Sequence, residues 1–151
     1  QRLGGPVDAA GGVNIGSQLL PGATGTVSVE KIISLNPDYY LMSGSKRPGK
    51  GTAVVPFGYN VDRKEVETAF NALMARQGVS SIPAVVQGHT GALYHHFYNN
   101  PYNIVAIETL SKIFYPDHFK DIDPQADYHT IIKDFTHIPD DSIILSYTPS
   151  H

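Results

Sequence analysis

The chain contains no cysteine, so disulfide staples and thiolate metal sites are excluded from its 151 residues. It has no apolar run near the roughly 20 residues that a membrane-spanning helix needs. It has no excess of basic charge either. The net charge of −3 gives no electrostatic footprint for nucleic acid, which normally meets a basic face. The beginning, Gln1-Arg2-Leu3-Gly4-Gly5-Pro6, lacks both an initiator Met and a charged-then-apolar signal segment. It reads as a chain whose first part has been removed. Signatures of common catalysts are missing too: there is no G-x-S-x-G, H-E-x-x-H, Walker loop or G-x-G-x-x-G.

What is present is ordinary globular composition, 41% apolar and 17% charged, enough for one domain with its own core. Residues 1–27 are glycine-rich and loop-like, with turns at Gly4-Gly5, Gly11-Gly12 and Pro21-Gly22. Ser28 reads as an N-cap with Glu30 in the first turn of a short helix, Val29–Leu35, that Pro37 stops. Tyr39–Met42 is a buried strand running into Ser43-Gly44-Ser45, and a basic connection follows from Lys46 to Thr52. Ala53–Phe57 is a second strand candidate.

Asp62 and Glu65 open an amphipathic helix with Val66, Ala69, Phe70, Leu73 and Met74 on one face and Gly78 at its end. Ile82–Val86 is apolar and β-branched. After a turn over Gly88–Gly91, Ala92–Tyr98 reads as a strand. Asn100 and Pro101 start a helix with the stripe Ile104, Ile107, Leu110 and Phe114. Asp123-Pro124 starts another, with the stripe Tyr128, Ile131, Ile132 and Phe135. Ser142–Tyr147 suits a last strand. Strands alternating with helices predict an α/β, Rossmann-like, three-layer lobe: a mostly parallel sheet flanked by helices.

In such sheets ligands sit at the carboxyl ends of the strands. Two of those ends carry chemistry: Ser43 to Arg47, and Tyr94-His95-His96-Phe97-Tyr98. Imidazole and phenolate both ligate Fe(III). If the strand stays regular, Tyr94, His96 and Tyr98 share one face while His95 and Phe97 take the other, so His96 and Tyr98 are the possible direct metal ligands. Half-buried aromatics lining a sheet would give the same pattern. Arg47 could pair with an anionic chelate, and Tyr59 could line the same opening. The remaining histidines, His89, His118, His129 and His137, read as surface residues.

Several segments resemble one family. Val27-Ser28-Val29-Glu30 with Ile32-Ile33-x-Leu35-Asn36-Pro37-Asp38 is similar to a conserved-order segment of helical-backbone (class III) substrate-binding proteins, which serve ABC importers of ferric siderophores, haem and cobalamin. Gly11-Gly12-Val13-Asn14 resembles the element opening their second lobe. Ala84-Val85-Val86-Gln87-Gly88, His96-Phe97-Tyr98-Asn99 and Leu110-Ser111-Lys112 with Tyr115-Pro116-Asp117-x-Phe119 resemble their later motifs, over about residues 10–135. Gln87-Gly88-His89-Thr90 departs from the pattern, which usually has Arg after this glycine.

The resemblance implies that residues 1–151 are the carboxy-terminal lobe of a two-lobed periplasmic protein whose amino-terminal lobe and linking helix lie outside this chain. It implies an extracytoplasmic location, contact with a membrane only through a permease or a lipid anchor, and a ferric or other metal chelate as ligand, with no intrinsic cofactor and no catalysis. By position, Thr24, Ser43, Ser45, Arg47, Tyr59, Tyr94, His95, His96 and Tyr98 would line the cleft, and Glu30 would dock on the permease. Catecholate, hydroxamate and citrate-type chelates, haem, cobalamin and nickel complexes all fit this reading. Two further readings compete with it. One is a free-standing interaction module using Glu30. The other is a small metal-dependent enzyme built on His95, His96 and Glu108.

Overall fold

The computed structural model describes residues 4–20, 25–49, 53–99, 101–139 and 143–149. Among the described residues, seven α-helices accompany a three-stranded mixed sheet: α1 Gly4–Ala9, α2 Gly16–Leu19, α3 Val29–Leu35, β1 Tyr40–Gly44, α4 Arg63–Met74, α5 Pro83–Val86, β2 Thr90–Tyr94, α6 Asn103–Phe114, α7 Pro124–Phe135 and β3 Ser146–Tyr147. β1 and β2 are parallel from Tyr40↔Thr90 to Gly44↔Tyr94, and β3 joins β2 antiparallel through Ala92↔Tyr147 and Leu93↔Ser146. Strand alternation sends Met42 and Ala92 to one face, where Val66, Phe70 and Leu73 of α4 cover them with Val55 and Phe57. Leu41 and Leu93 go to the other face, against Ala10 of α1 and Leu110 of α6. A third cluster, with Phe97, Val105, Ala106, Tyr128 and Ile132, joins α6 to α7. Helices therefore cover both faces of the sheet, the expected three-layer α/β lobe. Among the described residues no helix is long and apolar enough to cross a membrane.

Local signals set the helix ends. Ser28 accepts a hydrogen bond from the Lys31 amide at 3.3 Å, and Asn36 closes α3 in the left-handed region at φ 43°. Asp62 caps α4 through the Lys64 amide, and Asp123 caps α7 through the Ala126 amide with Pro124 at its first position.

Several expectations need correction. Ala53–Phe57 is not a strand: Val55, Pro56 and Phe57 are all buried, so the segment does not alternate, and Pro56 has no amide to donate. Only the adjacent Gly58 makes a single antiparallel bridge, to Ile144. Ile82–Val86 contains a turn of helix started by Pro83. The late strand begins at Thr90 and ends at Tyr94, four residues short of Tyr98, and His95–Asn99 is a 3-10 helix. The helix over 63–74 ends before Gly78, which instead takes φ 86° ahead of a 3-10 turn at Val79–Ser81.

Asn100 lies outside the described residues, and α6 starts at Asn103 after Tyr102. Its buried positions are Val105, Ala106, Thr109, Leu110 and Ser111, while Ile104 is 47% exposed. The stripe is broader than one face because α6 packs both on α1 and on α7. Phe135, at the last turn of α7, points to solvent.

Between α6 and α7, Glu108 faces Asp127. Burial first, then the neighbouring carboxylate, push the Glu108 carboxyl above its ordinary range, and its buried Oε2 has no hydrogen-bond partner among the described residues. The folded chain thus holds its proton more tightly than the unfolded chain. Stability is greatest below the ordinary glutamate pKa and falls as pH rises through the raised one. Glu108→Gln is therefore expected to stabilise the chain at neutral pH by about 1 kcal/mol, or about 2–4 °C in melting midpoint. Thermal melts at pH 7 and pH 4 check this: the gain should vanish at the acid pH, and an equal gain at both would refute the cause.

Candidate functional site

The parallel register brings Gly44 beside Tyr94, so the carboxyl ends of β1 and β2 form one rim carrying both chemically loaded segments. Ser43 lies on the same sheet face as Leu93, its register partner, and its Oγ is 3.1 Å from Nδ1 of His95 in a hydrogen bond. Because the strand has ended, the chain coils tightly over His95–Asn99 and alternation no longer separates the two imidazoles. Their ring centres are 5.5 Å apart, edge to face. Tyr94 meets His96 at 5.3 Å and Phe97 at 5.7 Å, both edge-on. Gly58, at φ 124°, packs against the Tyr94 ring, where even a methyl group would stand at 3.4 Å.

The adjoining wall is built by the loop after β1. Ser45 is buried, with its hydroxyl accepting from Arg47 Nε at 3.4 Å, so it supports the arginine rather than facing the opening. Lys46 turns aside to the Asn60 carbonyl at 2.9 Å and to Glu65 at 3.3 Å. Arg47, Tyr59, Asn60 and Lys64 line an open groove of about 890 Å³ under this loop. The Tyr59 hydroxyl is 3.0 Å from that of Tyr128, which is buried on α7 and stacks edge-on against Tyr102 at 5.3 Å. Burial chiefly, then the hydroxyl of Tyr59, push the Tyr128 phenol far above its ordinary range, and burial followed by Tyr59 raises Tyr94 more modestly.

Of the residues expected to line a cleft, Ser43, Tyr94, His95 and His96 are thus together at the strand ends, and Arg47 and Tyr59 line the neighbouring groove. Thr24 and the Tyr98 side chain lie outside the described residues. Glu30 stands apart on α3, fully exposed. Its carboxyl is held below the usual range by its own backbone amide and by the Ser28 hydroxyl. Tyr128 was legible only as an apolar stripe residue and Tyr102 not at all; the contact of Tyr128 with Tyr59 spans 69 residues of chain and leaves no local trace.

An opening of about 910 Å³ lies at the opposite end of the sheet, beside Tyr39, His89 and Thr90. Its polar wall is largely committed: Lys112 donates to the Ile122 carbonyl at 2.7 Å, and Gln125 bonds the Ile143 carbonyl and His129. His89 stacks on Tyr39 at 5.2 Å. Among the described residues no three His, Asp or Glu side chains converge on a point that could hold a metal ion. Glu108, engaged with Asp127, does not join His95 and His96 in such a group.

No protein-family model matches the chain, and no curated protein matches it. Among solved structures, it superposes on the TroA-like periplasmic binding protein FepB from Veillonella parvula with a TM-score of 0.88 and 25% identity. The match covers 99% of this chain and 42% of that protein, so the chain spans less than half of its length. In fold, and at one aligned residue in four, the chain is similar to part of a TroA-like periplasmic binding protein.

Proposed function

We propose that this chain is the carboxy-terminal lobe of the solute-binding component of an ABC importer, that it works outside the cytoplasm, and that its cargo is an iron chelate of the siderophore type or a related metal complex. The observation that carries the reading is the match of nearly the whole chain to part of a periplasmic binding protein, combined with a rim of imidazole, phenol and hydroxyl groups at the strand ends. Such a rim suits capture without chemical change. Aromatic edges give shape contact, Arg47 offers a charge for anionic oxygens, and a second lobe closing over the rim would exclude water. Glu30 would present a carboxylate to basic residues of the permease. Its own backbone amide and the Ser28 hydroxyl favour the ionised form by holding its pKa below the usual range.

The test is a titration of the two-lobed protein with ferric chelates, followed by quenching of tyrosine fluorescence. His96→Ala combined with Tyr98→Ala is expected to weaken binding about tenfold or more, the loss of roughly one charge-assisted or aromatic contact. Undiminished affinity in that double variant would remove both residues from the ligand contact.

A further inference from the structure

The outer edge of β3 is only half closed. Gly58 and Ile144 exchange both backbone hydrogen bonds, at 2.9 and 3.1 Å, so Ile144 turns its polar groups away from β2. Leu145 turns inward, its carbonyl accepting from the Tyr94 amide at 2.7 Å. Alternation then sends the backbone N–H and C=O of Ser146 outward, and those of Thr148 after them. Among the described residues these outward groups have no hydrogen-bond partner. Continuing the Gly58–Ile144 register by two residues would set Pro56 opposite Ser146, and Pro56 has no amide to donate. The Phe57 amide bends back to the Val55 carbonyl at 3.0 Å, and the chain leaves the edge open.

We propose that this open edge is a docking site for an extended acidic polypeptide segment, which adds a short strand beside Ser146 and Thr148. The site lies away from the rim at the carboxyl strand ends and does not depend on the importer reading.

Two observations select this occupant. The first is that the edge is recessed. Ser146 and Thr148 line the opening of about 910 Å³, whose walls come from Arg63 of α4 on one side of the sheet and from Thr109 of α6 and Gln125 of α7 on the other. Paired strands lie about 4.7–4.9 Å apart, so the incoming backbone must enter between those walls. A slender segment fits there, whereas the same edge of a second copy would bring walls of its own.

The second observation is charge. The charged side chains lining the opening are Arg63, Lys112 and Asp123, two cations to one anion, and Asp123 is already occupied in capping α7 through the Ala126 amide. Glu67, a turn further along α4, does not line it. In a chain of net charge −3 this lining is locally positive and complementary to carboxylates. In this mode of recognition main-chain hydrogen bonds supply the affinity, and side chains at alternate positions supply the preference.

The probe is a capped peptide of about eight residues alternating Glu and Val, added to the whole chain. In the free chain the Ser146 and Thr148 amides should exchange with deuterium as fast as exposed amides, and saturating peptide should slow both about tenfold or more. Two further peptides, N-methylated at alternate amides in the two possible phases, should differ: one keeps its affinity and the other loses about tenfold or more, because only one phase of amides faces β3. Ser146→Pro removes an outward N–H without touching the bonds to β2, and should weaken the unmodified peptide about tenfold. The methylated pair decides the matter even where that variant fails to fold. Arg63→Glu should weaken binding about threefold, and less at high salt.

Protection of the Ser146 and Thr148 amides in the free chain, equal binding of both methylated peptides, or no binding of the unmodified one would each overturn the inference. A dimer in sedimentation that dissociates in Ser146→Pro would overturn it too, because the edge would then belong to a second copy.

Discussion

Gly44→Ala is expected to cost about 3 kcal/mol or more of folding stability, a large share of the 5–15 kcal/mol available to a domain. Gly44 ends β1, and a Cβ placed there would fall on the carbonyl oxygen of Val55, with the Val55 amide nitrogen only 3.0 Å away. These are backbone atoms, so no rotamer change relieves the overlap. Val55 is 1% exposed and its carbonyl accepts from the Phe57 amide at 3.0 Å, while the Phe57 carbonyl accepts from Lys46 at 2.8 Å. Moving the segment would break that chain of bonds and open the cluster under α4. Gly5→Ala is the control. Gly5 sits in α1 with nothing within 4 Å of the new methyl, and the change should stabilise by about 0.5–1 kcal/mol. Urea unfolding of both variants decides the matter. Near-native stability in Gly44→Ala would mean that the loop over 53–57 does not press on the strand end.

Tyr128 carries the second large effect, because it belongs to the core and also holds the hydroxyl of Tyr59, which lines the groove. Tyr128→Ala should lose about 3–5 kcal/mol, as a large ring is removed from the cluster of Phe97, Val105 and Ile132. Tyr128→Phe keeps the ring and gives up only the hydrogen bond to Tyr59, at about 1 kcal/mol. The phenol also sets a pH response. Its folded pKa lies well above the value of about 10 expected in the unfolded chain. At alkaline pH the unfolded chain therefore binds fewer protons than the folded one, so stability falls as pH rises past about 10. Absorbance titration of the native chain should show incomplete phenol ionisation near pH 11, completed on unfolding, with Tyr40, Tyr94 and Tyr147 contributing in the same direction. Tyr128→Phe should lessen the alkaline loss of stability. A loss of equal slope in that variant would assign it to the other three phenols.

The α/β layering and the helix caps were legible because they depend on neighbours in sequence. Ser28, Asp62 and Asp123 bond amides two or three residues ahead, and the face of α4 repeats at the helical period. The reading failed where distant packing outweighed the local pattern. Ala53–Phe57 has strand-like residues, yet it is held as a buried loop against Gly44 and Ile144. Phe135 fits the apolar stripe of α7 yet stands exposed at the last residue of the helix.

By itself, the order of residues determined that Ser43 would stand where the first strand runs out and that histidine and tyrosine would cluster in the late-strand segment. Only the tertiary structure decided that β2 stops at Tyr94, that both imidazoles turn to the same neighbourhood, and that a serine 52 residues away in the chain reaches one of them. The reason is one of range. Caps and periodic faces are set within a few residues. The end of a strand is set by where its partner runs out, and β1 offers β2 no register partner beyond Gly44.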